Sequence, residues 1–203
     1  MGTYQTVIFD MGNVLISFSH EKMLKQVAQA SHLSLETIQD LFLKQGLGLK
    51  LEKGEISSQD IYKALSKLSS QPFQYDELIH AGCDIFTSRP EMVETVKQLK
   101  RQGLRLLLLS NTNESHFNYI LKNYDFLPLF DHWVLSFKLH RVKPEKDIYE
   151  AVLSEARTPP ENCFYVDDIP EYVAAASELG IQGHVYQTFP QFVKALKNHN
   201  ILF

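Results

Sequence analysis

Cysteine is nearly absent: Cys83 and Cys163 are the only two in 203 residues. Two isolated cysteines exclude the disulfide framework of a small secreted scaffold, and a reducing, cytoplasmic setting is expected. Long apolar runs are also missing. Leu104 to Leu109 is the longest strong one, and Arg105 interrupts it; a membrane span needs roughly 18 residues or more. No basic stretch precedes a long apolar segment near the N-terminus, so no signal peptide is expected. Positive charge is not in surplus. Lys and Arg number 20 against 24 Asp and Glu, for a formal net charge of −4, which lacks the basic footprint of a nucleic-acid binder. Neither a repeat of fixed period nor a low-complexity linker is found. The 44% hydrophobic content suffices for one large domain, or a core plus a small one. A small-molecule partner is expected, with neither nucleic acid nor membrane. The residues leave the oligomeric state open between a monomer and a weak dimer.

Five short apolar runs read as strands: Gln5–Phe9, Leu104–Leu109, His132–Leu135, Cys163–Val166 and Gly183–Tyr186. Most are nearly continuous in apolar character, as strands covered on both faces by helices are. Helical segments alternate with them after residue 88. Pro90–Arg101 opens on Pro and ends at Gly103, and Glu145–Ala156, Glu171–Leu179 and Phe189–Lys197 follow. Alternation of this kind implies right-handed crossovers and a parallel sheet, an α/β fold. From about His20 to Phe86 the pattern changes to helix-period spacing, with no strand signal. Ser34 and the pair Ser57-Ser58 supply N-cap signals there. A simple crossover needs far fewer residues. We therefore expect a Rossmann-like core, residues 1–17 and 87–203, with an inserted α-helical cap, residues 18–86, over the strand tips.

The chemistry is expected at those tips. Asp10 ends the run Val7-Ile8-Phe9, and a Gly-containing turn follows. A charge beside so apolar a strand is tolerable where the strand end opens into a ligand crevice, the usual binding place of parallel α/β sheets. Asp167 and Asp168 end a second such strand, Ser110 ends a third, and Lys143 precedes Pro144. Two carboxylates ~4 Å apart at an effective dielectric of ~20 repel by about 4 kcal/mol. A divalent cation and an ammonium remove that penalty, and phosphoryl transfer needs chiefly positioning and charge neutralisation.

These residues, in this order, resemble the four motifs of the haloacid dehalogenase (HAD) superfamily. The resemblance is to its sugar-phosphate phosphatase branch, through Phe9-Asp10-Met11-Gly12-Asn13-Val14, Ser110-Asn111-Thr112-Asn113, Lys143 and Asp167-Asp168. Glu52-Lys53-Gly54-Glu55-Ile56-Ser57 resembles that branch's cap, and Arg89-Pro90-Glu91 its return to the core. The resemblance implies a Mg²⁺-dependent hydrolase of small phosphorylated metabolites, such as sugar phosphates. In it Asp10 is the nucleophile and forms an aspartyl-phosphate. Asp10, the Gly12 carbonyl and Asp168 hold Mg²⁺, and Asp167 acts through water or behind the ligands. Ser110 and the Asn111 amide bind the phosphoryl group, and Lys143 pairs with it and with Asp10.

Three positions set this chain against the commoner pattern. Gly12 stands where most phosphatases of the superfamily carry an acidic general acid/base, although the resembling branch shares the glycine. A missing general acid costs about 10²–10⁴-fold, which implies preference for aryl or anomeric phosphates. His140 replaces a frequent glycine, and Tyr172 a frequent asparagine. They keep open a catalytically impaired, ligand-binding reading beside a haloacid-type dehalogenase, in which the same aspartate attacks carbon. Glu52 reads equally as substrate-facing or as a solvated helix end. Phe18, Phe42 and Phe86 read as packing of the helical segment, and Cys163 as core.

Overall fold

The structure, a computed structural model, describes residues 4–201. Its elements in chain order are β1 (Thr6–Phe9), β2 (Ile16–Phe18), α1 (His20–Ser31), α2 (Leu35–Gln39), α3 (Leu47–Glu52), α4 (Ser58–Leu68) and α5 (Tyr75–Cys83). Then follow β3 (Phe86–Ser88), α6 (Pro90–Arg101), β4 (Arg105–Ser110), α7 (Glu114–Asn123), β5 (His132–Leu135), α8 (Ser136–Leu139) and α9 (Lys146–Ala156). The chain closes with β6 (Cys163–Asp167), α10 (Pro170–Glu178), β7 (Gln182–Val185) and α11 (Phe189–Asn198). Among the described residues no helix is long and apolar enough to cross a membrane.

The five expected strands form one parallel sheet in the order β5-β4-β1-β6-β7. Side chains alternate between its faces, and both faces are dry. Val7, Phe9, Leu106, Leu108, Phe164 and Val166 join a core that takes in Phe192 and Leu196 of α11. Ile8, Leu107, Leu109 and Tyr165 join the opposite one, with Ile148 and Val152 of α9. That double burial makes the runs continuous in apolar residues. Each fully buried aliphatic side chain contributes about 1.5–3 kcal/mol relative to exposure.

Register positions the chemistry. Phe9 stands level with Leu108 on one side and Val166 on the other. Asp10, Leu109 and Asp167 therefore follow at one height, with Ser110 just beyond. The chain runs β1-β4-β5 to one side and then β6-β7 to the other, so the strand order reverses between β1 and β6. Crevices for ligands lie at such reversals.

Residues 20–83 are helical with a core of their own, built on Leu24, Val27, Ile38, Ile61, Leu65 and Leu78. Ser34 caps α2 through the Thr37 amide, and Ser57 with Asp60 forms a capping box on α4. The absence of strand expected up to Phe86 is corrected at its end. Phe86 opens β3, which pairs antiparallel with β2, so chain leaves and re-enters the core through a two-stranded ribbon. Strands of three residues show no usable period, and this pairing joins residues far apart in sequence. Helix α7 is a further element without an expectation. Its start is signalled by Asn113, whose Oδ1 accepts the His116 amide at 3.0 Å.

Candidate active site

Three strand tips and one loop meet at the reversal. Asp10 is buried, and its amide donates to the Val166 carbonyl at 2.9 Å, continuing the sheet one residue past β1. Lys143 arrives from the loop before α9 and is also buried. Its Nζ donates to Asp10 Oδ1 at 2.7 Å, Asp167 Oδ2 at 2.6 Å and the Leu109 carbonyl at 3.3 Å. All three ammonium protons are thereby used. Asp167 Oδ1 accepts the Ile169 amide at 2.9 Å, and Oδ2 also accepts the Tyr165 hydroxyl. Both its oxygens are engaged by the protein, which suits a supporting place behind a metal. Asp168 is half-buried, and its Oδ2 accepts Asn13 Nδ2 at 3.1 Å.

The electrostatics call for a cation. Asp10, Asp167 and Asp168 each offer an oxygen within 4.8 Å of the others, and a single ammonium stands among them. Burial lifts the Asp10 carboxyl to about 7, against the pull of Lys143 and with the repulsion of Asp167 and Asp168. Burial also raises Asp168. Desolvation works against the Lys143 charge, but Asp10 and Asp167 outweigh it and hold that pKa above the ordinary lysine value. A compact all-oxygen donor set with excess negative charge fits Mg²⁺, which takes a few carboxylates, water and substrate phosphate.

The remaining expected residues surround this cluster. Ser110 is buried at the β4 tip. Asn111 uses its side chain on the backbone of Lys143: Oδ1 accepts the Lys143 amide at 2.8 Å and Nδ2 donates to its carbonyl at 3.1 Å. Any phosphate contact from Asn111 therefore falls to its own amide. Gly12 follows the Met11 carbonyl, which accepts the Leu15 and Ile16 amides and folds the turn. A Cβ on Gly12 would stand 2.8 Å from the Phe18 ring. That ring fills the place an acidic side chain would need.

The two unusual positions acquire structural roles. His140 has φ 57°, the left-handed region glycine adopts freely and histidine tolerates better than most. Its Nδ1–H donates to the Lys53 carbonyl at 2.8 Å. Beside it Lys53 Nζ reaches Glu145 at 2.7 Å, and a Cβ on Gly54 would lie 2.2 Å from the Phe137 carbonyl oxygen. The end of α3 is thus clamped to the loop that carries Lys143. Tyr172 lays its ring 5.1 Å from Lys143 Nζ, a cation–π contact. Sequence reasoning missed this role, and with it the Tyr165 hydroxyl and the Asn13 amide. Tyr165 was traceable, since two residues before Asp167 on a strand means the same face.

Next to the cluster a cavity of about 140 Å³ extends from Met11, Gly12, Ser110 and Asn111 into the helical insertion. Phe18, Phe42, Phe86 and Glu52 all line it. Opposite α3 the insertion is joined by His116, whose Nε2–H donates to the Gly82 carbonyl at 3.0 Å. Burial depresses its pKa to about 4. The unfolded chain takes up this proton near the ordinary 6.5, so stability is full above that pH and falls as pH drops toward 4. Urea unfolding from pH 7 to 4 should show a loss on the order of 1–3 kcal/mol from this site. His116→Gln should flatten that part of the profile.

The haloacid dehalogenase-like hydrolase family model matches residues 4–180. Among curated proteins, the chain is similar to the D-ribitol-5-phosphate phosphatase of Bacteroides thetaiotaomicron, 23% identical over 88% of this chain and 89% of that one. It is 28% identical to the sesquiterpene phosphatase astK of Aspergillus oryzae, over 89% of each chain. Among solved structures, a HAD-family enzyme of B. thetaiotaomicron in complex with magnesium and inorganic phosphate superposes with TM-score 0.81 at 23% identity. That match covers 93% of this chain and 98% of that one. A HAD-like hydrolase of Porphyromonas gingivalis gives TM-score 0.80 at 25% identity, over 96% and 98%.

Proposed function

Because this chain belongs to the haloacid dehalogenase-like hydrolases, we propose that it is a Mg²⁺-dependent phosphomonoester hydrolase of small phosphorylated metabolites. One observation carries this: the buried Asp10–Lys143–Asp167 cluster, with Asp168 beside it, stands at the strand-order reversal next to a cavity lined by the adjoining Met11, Gly12, Ser110 and Asn111. Asp10, Gly12 through its carbonyl, and Asp168 would hold the metal, with Asp167 supporting them. Bound Mg²⁺ supplies charge neutralisation for the substrate phosphate.

The chain's own residues do the rest. Lys143 fixes the Asp10 carboxylate by one oxygen and opposes the burial that favours its protonation. Asp10 attacks phosphorus; the Asp10 O–P bond forms as the bond to the leaving alcohol oxygen breaks. Ser110 and the Asn111 amide hold a phosphoryl oxygen. Gly12 donates no proton, so the leaving oxygen takes its proton from water or departs as the anion. Water then cleaves the aspartyl-phosphate and releases phosphate. In this reading residues 18–86 form a cap that excludes bulk water, on a core of 1–17 and 87–203. A reducing, cytoplasmic setting accords with Cys83 and Cys163, buried as free thiols.

The dehalogenase alternative is disfavoured, because attack on carbon needs no metal and leaves the surplus negative charge of Asp10, Asp167 and Asp168 without a counterpart. The impaired reading loses ground too, since His140 and Tyr172 each have a structural place. The substrates in the two relatives' names, a polyol phosphate and a terpene, ask for opposite cavity walls. The test is turnover of para-nitrophenyl phosphate with Mg²⁺. Activity should vanish on chelation, return with added Mg²⁺, and exceed that on a simple alkyl phosphate by about 10²–10⁴-fold. Metal-independent turnover would overturn it, and equal rates on both esters would overturn the leaving-group preference.

A further inference from the structure

The cavity that begins at Met11 and Gly12, next to Asp10, has two chemically distinct ends. Its floor is the polar turn of Gly12, Ser110 and Asn111. Its depth runs into the insertion, between Val27, Phe42, Leu51, Ile61, Leu78 and Ile79. No side chain in that chamber wall offers an alcohol a hydrogen bond. Several polar groups elsewhere on the lining are engaged with the protein, while His20 is held there by an edge-on contact with the Phe18 ring rather than by a hydrogen bond. Ser58 and Ser115 bond one another. His116 is neutral and gives its N–H to the Gly82 carbonyl, while Asn113 caps α7. Glu52 lines the cavity at the last residue of α3, the end clamped through Lys53 to the loop that carries Lys143.

A polyhydroxylated substrate pushed into this chamber would exchange hydrogen bonds with water for contacts with methyl groups and rings. Each hydroxyl left without a partner works against binding. A hydrocarbon group gains from the same walls. We propose that the substrate is the phosphate monoester of an apolar organic group, alkyl, isoprenoid or aryl, whose hydrocarbon lies among Val27, Phe42, Ile61, Leu78 and Ile79 while its phosphate meets Asp10. This rests on the phosphohydrolase reading and narrows it to a substrate class.

The test pairs n-pentyl phosphate with a pentitol 5-phosphate. The two share carbon count and a primary alkoxide leaving group, so the missing general acid affects both alike. The pentyl ester should have the higher kcat/KM by at least tenfold. Across n-alkyl phosphates from propyl upward, kcat/KM should rise about fourfold per methylene until the chamber is filled. Ile79→Trp should shrink the ratio of long-chain to short-chain kcat/KM by tenfold or more. Affinities of n-alkylphosphonates for the Asp10→Asn protein, titrated by calorimetry with Mg²⁺ present, should follow the same slope without turnover. Para-nitrophenyl phosphate separates the two levels of inference. If it is hydrolysed through Asp10 while the alkyl series is flat or the pentitol ester is preferred, the apolar assignment is overturned and the hydrolase stands. If nothing is hydrolysed, the hydrolase reading fails; chain-independent phosphonate binding would then overturn the apolar assignment as well.

Discussion

Lys143→Met is expected to lose turnover and to unfold far more easily than the parent. The ammonium is the single cation among three carboxylates, and each of its protons has a partner. Methionine matches the stem but leaves Asp10 and Asp167 facing one another in a buried site. Breaking a buried ion pair from one side costs about 3–5 kcal/mol. For a chain of this size that is a Tm drop of roughly 6–20 °C. The pH dependence has a definite sign. Without Lys143 the buried Asp10 binds its proton more readily folded than unfolded, so stability should rise as pH falls from neutral toward 5. Added Mg²⁺ should restore part of the loss, because it supplies the missing positive charge. Chemical denaturation at two pH values, with and without Mg²⁺, checks both statements. A variant as stable as the parent in metal-free buffer at neutral pH would show that the cluster is not held by this charge.

Asp10→Asn is expected to be inactive as well, but opposite in stability: folded and at least as stable as the parent. The amide keeps the shape and removes one buried negative charge, while Lys143 retains Asp167 at 2.6 Å. The parent carboxyl, lifted to about 7 by its burial, contributes little stability worth losing. Activity should fall by the order of 10⁴–10⁶-fold, as when a covalent nucleophile is removed elsewhere. Single-turnover assays and a melting curve on the same preparation measure both halves.

The strands were legible because burial on both faces writes itself into sequence. Val7 and Phe9 serve one core and Ile8 the other, so no polar residue interrupts β1. The site was legible for a related reason: Asp10, Ser110 and Asp167 are polar at the point where such runs stop. What stayed hidden depends on contacts between distant residues. Nothing local says that the Tyr172 ring lies over Lys143, or that the Asn111 side chain serves the Lys143 backbone rather than a ligand. The β2–β3 ribbon, three residues a side, is too short to show a period. The cavity is the deepest omission. Helical spacing marks Val27, Phe42 and Ile61 as inward-facing, but an apolar face against a neighbour and one against a void read alike.

The most direct measurement is where the phosphoryl group goes. Protein mixed with para-nitrophenyl phosphate and Mg²⁺, quenched in acid during turnover and digested, should show one phosphoryl mass gain on the peptide containing Asp10. Hydroxylamine should remove it, and Asp10→Asn should lack it. Turnover that proceeds with Asp10 unlabelled, and that survives Asp10→Asn, would contradict nucleophilic catalysis by this carboxylate.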